Sequence, residues 1–218
     1  MLFENGQSIL FTGDSITDAG RKRPVGQGLW EGVGNGYVRT FDTLLNVLYP
    51  EYIFRILNTG CSGNTSKDLL ARFDTDVIAL KPDWVVLMIG ANDVWRIFDE
   101  PGLPENQVHL SDYEKNLTEM VTRMKAAGIR PILLTPYFME PNRGDPMRRL
   151  MDEYGQAVRR VAEAHGVHFI DVQPVFDEYL RYRHSSYISW DRVHPSHIGS
   201  MLLAKTLLSY VGVDRPLF

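Results

Sequence analysis

Five short apolar runs, separated by segments long enough to hold helices, constrain the fold of this chain more than any other feature. They are Ser8–Thr12, Tyr52–Leu57, Trp84–Ile89, Ile129–Leu134 and Val167–Ile170. A strand that is apolar throughout must be covered on both faces, and parallel neighbours need a crossover of a dozen residues or more between them. The pattern therefore predicts an α/β protein, a three-layer α/β/α sandwich around a mainly parallel five-stranded sheet.

The crossovers carry helical periodicity. Tyr37 to Leu48 repeats apolar residues at spacings of three and four until Pro50 stops it. Ser111 and Glu114 have the spacing of a capping box ahead of Leu117, Met120, Val121 and Met124, with Gly128 as the C-cap. Further helices are expected from about Met147 to His165 and from Gly199 to Tyr210. The alternation runs from end to end without a linker or repeat, so one domain over residues 1–218 is expected. A chain that is 44% hydrophobic supplies a full-sized core for it.

Charge and composition remove several classes of function. The formal net charge is −4 with the two signs interleaved, so no basic stripe offers itself to a nucleic acid. The clusters Arg21-Lys22-Arg23 and Arg148-Arg149 read as solvated faces. No apolar run approaches the roughly 18 residues of a membrane span. The N-terminal MLFENGQSILF has no basic start or long apolar stretch, and one cysteine, Cys61, forms no intrachain disulfide; both favour a cytoplasmic location. Cys61 reads as a small packing residue rather than a reactive thiol. His194 with His197, and His165 with His168, lack the second ligand pair of a zinc signature, so no metal is expected. The run Gly32 to Gly36 neither follows a strand directly nor ends in Lys-Ser or Lys-Thr, and it reads as a turn or wall instead of a phosphate loop. No cofactor is called for.

Two blocks carry chemistry. Gly13-Asp14-Ser15-Ile16-Thr17 follows the first strand, where a tight turn exposes Ser15 at the sheet rim; Ser15 could equally cap a helix there. Trp190-Asp191-Arg192-Val193-His194-Pro195 precedes the last helix. A hydroxyl nucleophile needs a base, and an imidazole base needs an acceptor that fixes its tautomer. His194 and Asp191 meet both needs within one turn. The segments Gly26–Gly36 and Arg96–Leu110, which follow candidate chemical residues, are candidate substrate walls.

With Asn58-Thr-Gly-Cys-Ser-Gly-Asn-Thr65 and Gly90-Ala-Asn-Asp93 added, four blocks stand in an order that resembles the SGNH hydrolases, also called GDSL-type esterases, over essentially the whole chain. The resemblance implies a flavodoxin-like fold, Ser15 as nucleophile, Asp191 and His194 as its partners, and an oxyanion hole built from Ser15 N–H, Gly63 N–H and the Asn92 amide. Donors aimed at the developing negative charge stabilise the transition state more than the ground state. On residues alone, Asn92 and Asp93 also fit a turn closing strand three, and Gly63 fits a strained turn. Asp14 and Asp93 are expected to brace loops.

Further segments, among them Asp14-Ser-Ile-Thr-Asp18, Lys81-Pro-Asp-Trp-Val85, Asn92-Asp-Val-Trp-Arg96 and Asp145-Pro-Met-Arg-Arg149, resemble the bacterial acetylxylan or xylo-oligosaccharide esterase branch. That branch implies an acetylated carbohydrate substrate and a homo-oligomer. Trp95 and Trp190, beside catalytic blocks, are candidate sugar platforms, or else packing residues of the pocket wall. A short-chain arylesterase, a thioesterase, a lipid esterase and a non-enzymatic carbohydrate-binding module are the alternatives.

Overall fold

A strand buried on both faces reads as an unbroken apolar run, and Trp84–Met88 is one: it forms β3, buried at every position, at the centre of the sheet. The computed structural model describes residues 1–28 and 31–216. Along the chain come β1 (Ser8–Gly13), α1 (Ser15–Asp18), α2 (Tyr37–Leu48), β2 (Arg55–Asn58), α3 (Ser66–Ala71), α4 (Phe73–Asp76) and β3. They are followed by α5 (Ala91–Asp99), α6 (Leu110–Ala126), β4 (Arg130–Leu134), α7 (Pro146–His165), β5 (His168–Ile170), α8 (Gln173–Leu180) and α9 (His197–Tyr210). The strand order is β2-β1-β3-β4-β5 and every pairing is parallel.

This order reverses between β1 and β3, the chain passing to β2 on one side and returning to β3 on the other. Loops leaving the carboxyl ends of strands at such a switch diverge and open a crevice. β1 and β3 lead respectively into the Ser15 and Asn92 blocks. On the two faces of the sheet, α2 packs on α9, and α6 packs on α7 and α3. Leu117, Met120, Val121 and Met124 of α6 are buried as the helical stripe requires.

The structure differs from the sequence reading at several boundaries. β2 begins at Arg55 rather than Tyr52, because Tyr52 and Phe54 stack on each other at 5.7 Å while Ile53, 76% exposed, bonds through its backbone to Asn5 and Gly6. The α6 helix starts at Leu110 with His109 as its cap, and the Ser111–Glu114 capping box does not form; Glu114 pairs with Arg160 of α7 at 2.8 Å. Gly128, at φ +74°, closes the helix as expected. The expected loop from Arg96 is helical as far as Asp99. In the basic clusters Lys22, Arg23 and Arg149 are exposed as expected, but one arginine of each cluster is buried. Arg148 is 2% exposed and holds Asp177 through both terminal nitrogens, at 2.7 and 2.8 Å, while its Nε reaches Asp152 at 2.9 Å. Arg21 is buried as well and donates from Nε to the Gly60 carbonyl at 2.8 Å. Among the described residues no helix is long and apolar enough to cross a membrane.

Candidate active site

At the end of β1 the chain turns too tightly for a side chain: a Cβ at Gly13 would stand 2.1 Å from the Met88 carbonyl of β3. Asp14 then caps α1, accepting the Ile16 N–H at 2.9 Å, and Ser15 opens the helix with its hydroxyl at the rim. Burial pushes the Asp14 carboxyl up to about 6, against the lowering influence of the Ile16 bond and of His194.

Ser15 Oγ lies 2.7 Å from His194 Nε2, and His194 Nδ1 lies 2.5 Å from Asp191 Oδ2. Two segments 179 residues apart in sequence thus meet in one hydrogen-bonded chain. The second Asp191 oxygen accepts the backbone N–H groups of Val193 at 2.9 Å and His194 at 2.8 Å, and the Ser189 hydroxyl at 3.0 Å. Burial raises the Asp191 carboxyl, but the His194 ring and these donors outweigh it and hold the group below its ordinary value, so it is ionised at neutral pH. An ionised Asp191 selects the Nδ1–H tautomer of His194, leaving Nε2 free to accept the Ser15 proton.

The turn that presents this pair is braced from outside. Ser189 and Pro195 close it by an antiparallel bridge. Arg192 takes the left-handed conformation at φ +67°, its carbonyl accepts the Met139 N–H at 2.8 Å, and its guanidinium meets Glu140 at 2.6 Å. Arg148 in turn donates to the Glu140 carbonyl at 2.7 Å. The buried Arg148 cluster therefore supports the loop on which the Asp191–His194 turn leans.

On the other side of Ser15 stand Gly63 and Asn92. Gly63 has φ +83°, a conformation in which glycine alone is unstrained. Asn92, 4% exposed in the first turn of α5, donates from Nδ2 to the Asn64 carbonyl at 2.9 Å and accepts from Arg96 Nη2 at 3.4 Å. These two contacts fix the orientation of the amide and leave the second Nδ2 hydrogen uncommitted. The N–H groups of Ser15 and Gly63 donate to no other described residue.

Arg72 laces these loops together, donating to the Gly13 carbonyl at 3.0 Å, the Thr59 carbonyl at 2.7 Å and Asn64 Oδ1 at 2.6 Å. Cys61 N–H reaches the Gly13 carbonyl at 3.0 Å. Asp18 accepts from Ser62 N at 3.1 Å and from Arg23 at 2.8 Å. Sequence reasoning missed Arg72, two of whose partners are backbone carbonyls that leave no side-chain signature, while its ion pair with Asp76 at 2.7 Å lies on its own helical turn. Asp93 braces the loops as expected: it takes the Ser66 N–H and, at 2.5 Å, the Ser66 hydroxyl, tying α5 to α3.

Trp95 and Trp190 flank His194. The Trp190 ring lies nearly parallel to the imidazole, at 9° and 6.3 Å, and is 86% exposed; the Trp95 ring is tilted at 52° and 5.9 Å. Gly26, Gly28, Gly32 and Val33 of the Gly26–Gly36 segment line a groove with Arg39, Asp42 and Ile56, while Asn35 N–H reaches the Ala19 carbonyl at the end of α1 at 2.8 Å. Leu29 and Trp30 of that expected wall lie outside the described residues. The His168 ring packs against Trp84 at 5.5 Å, tilted by 53°, and bonds the Tyr210 hydroxyl at 3.0 Å.

Such an arrangement can generate a serine nucleophile, return a proton to a leaving group and receive an oxyanion. Comparison with known proteins points the same way. Residues 11–202 match the model of the GDSL-like lipase/acylhydrolase family. An acetylxylan esterase of Geobacillus stearothermophilus is 47% identical over 214 residues, 98% of each chain. The crystal structure of Axe2, an acetylxylan esterase from Geobacillus stearothermophilus, superposes with a TM-score of 0.95 at 47% identity over 98% of both chains. LAE5, an alpha/beta hydrolase enzyme from the metagenome of Lake Arreo, Spain, gives the same TM-score, identity and coverage.

Proposed function

The chain belongs to the GDSL-like lipase/acylhydrolase family, and from that membership we propose that it is a serine esterase removing O-acetyl groups from xylo-oligosaccharides through an acyl-enzyme intermediate. The observation that carries the reading is the unbroken relay Ser15–His194–Asp191, at 2.7 and 2.5 Å. As Ser15 Oγ attacks the acetyl carbonyl, His194 Nε2 takes its proton, and the ionised Asp191 stabilises the imidazolium. The carbonyl oxygen becomes an oxyanion received by Ser15 N–H, Gly63 N–H and the free Asn92 amide hydrogen. Collapse breaks the bond to the sugar oxygen, which leaves with the proton from His194. Water then gives a proton to the same nitrogen as it attacks the acetyl-serine; the bond from the acyl carbon to Ser15 Oγ breaks, His194 returns the proton to Ser15, and acetate departs.

Two observations support a sugar as the alcohol portion. Two of the relatives matched over 98% of their length are named as acetylxylan esterases, and Trp190 offers an exposed flat face beside His194. A carbohydrate-binding module would use the tryptophans but would have no use for the relay. The protein is also read as a homo-oligomer: Tyr182 and Tyr187 are exposed ahead of the Asp191 turn, apolar surface of the kind that subunits cover. Sedimentation equilibrium tests that part, a monomeric mass counting against it.

The activity is tested by comparing turnover on acetylated xylo-oligosaccharides with that on acetyl, butyryl and octanoyl nitrophenyl esters, with Ser15→Ala as control. Preference for the acetylated oligosaccharides supports the reading. A preference for the octanoyl ester makes the protein a lipid esterase instead.

A further inference from the structure

A cleft of about 290 Å³ opens beside the oxyanion donor Gly63, between the first turn of α3 and the segment that follows α5. Gly63, Thr65, Lys67, Arg96, Glu100 and Glu105 are among its lining residues. We propose that this cleft is a subsite for neutral sugar units, holding the xylosyl residues next to the acetylated one; the proposal rests on the carbohydrate deacetylase reading above.

The chemistry of the lining selects the ligand class. Most of its polar groups are already satisfied within the protein. Arg96 pairs with Asp99 and Glu100, Asn106 donates to Glu100 at 2.7 Å, and Thr65 and Asp68 close a capping box on each other. Two groups stand apart. Lys67 and Glu105, both exposed, make no hydrogen bond or ion pair with any described residue. The cleft thus presents one uncommitted cationic donor and one uncommitted anionic acceptor.

An anionic ligand would meet Glu105 and Glu100, and a cationic one would meet Lys67 and Arg96. A long acyl chain would lie against charged groups and leave them desolvated without partners. Sugar hydroxyls donate and accept at once, so a neutral polyol satisfies both free groups where the other classes satisfy one or neither. Position fits as well. Because Gly63 is shared between the cleft and the oxyanion donors, a ligand filling the cleft adjoins the carbonyl under attack, while Trp95 and Trp190 lie beside His194. Sugar units on both sides of the acetylated ring would then be held at once, which favours oligosaccharides over acetylated monosaccharides.

The test is the double variant Lys67→Ala/Glu105→Ala, assayed on acetylated xylotriose, acetylated xylose and 4-nitrophenyl acetate. The expected result is a fall of about tenfold in kcat/KM for acetylated xylotriose relative to 4-nitrophenyl acetate, carried by KM, together with loss of the wild-type preference for xylotriose over xylose. A ratio that moves less than twofold while the wild-type enzyme deacetylates xylotriose efficiently overturns the subsite and leaves the deacetylase reading intact. A wild-type enzyme that cleaves 4-nitrophenyl acetate but no acetylated sugar overturns the deacetylase reading, and the subsite falls with it.

Discussion

Replacing Asp93 by asparagine should change how the stability of this protein depends on pH. The carboxyl is fully buried one residue beyond Asn92, and burial pushes it up to about 7 from an ordinary value of 3.8, against the hydrogen bonds from Ser66. Between those two values the folded chain keeps a proton on Asp93 that the unfolded chain has released. The stabilisation is therefore fully present below about pH 4 and is lost as pH rises through 7. Each pH unit inside that window corresponds to about 1.4 kcal/mol, so between pH 8 and pH 5 the wild-type chain should gain about 3 kcal/mol from this group. Asp93→Asn does not titrate and gains nothing from it. Urea unfolding of both chains at pH 5, 6, 7 and 8 measures the difference, which should move by about 3 kcal/mol in favour of the wild type towards pH 5. A difference that stays flat across the series, whatever its absolute size, would refute the reasoning.

Two further substitutions probe the support and the chemistry separately. Asn92→Ala removes the side-chain donor to the oxyanion and should lower kcat about a hundredfold, or about 3 kcal/mol in the barrier, with KM little changed; steady-state kinetics on 4-nitrophenyl acetate reads it. Arg148→Ala leaves Asp177 without its bidentate partner and the Glu140 carbonyl without a donor, and should cost about 3–5 kcal/mol of stability in urea unfolding.

The central strands were legible because they must be apolar on both faces: Trp84 to Met88 admits no other reading, and the same holds for Ile132 to Leu134 and Ile9 to Phe11. β2 was harder. Tyr52 to Phe54 continue the apolar run, yet they serve an aromatic cluster at the sheet edge, and a single sequence cannot tell edge packing from pairing. Ser15 was visible just past the end of β1, Asp191 and His194 as a carboxylate and an imidazole three residues apart ahead of the last helix, and Asn92, past the end of β3, through the resemblance of its block. Their supports were not visible. Arg148 beside Arg149 looks like a solvated pair until α8 brings Asp177 against it, and Arg72 works by donating to the carbonyls of Gly13 and Thr59, groups that every residue carries. Arg21 was misread for the same reason, since its partner is the Gly60 carbonyl.

Catalysis through an acyl-enzyme on Ser15 is tested most directly by quenching the protein during turnover of acetylated xylo-oligosaccharide and measuring its mass and that of its peptides. An acetyl group on Ser15 in the wild type, absent from Ser15→Ala along with the activity, is the expected result. Undiminished hydrolysis by Ser15→Ala, or an acetyl group carried on another residue, would contradict it.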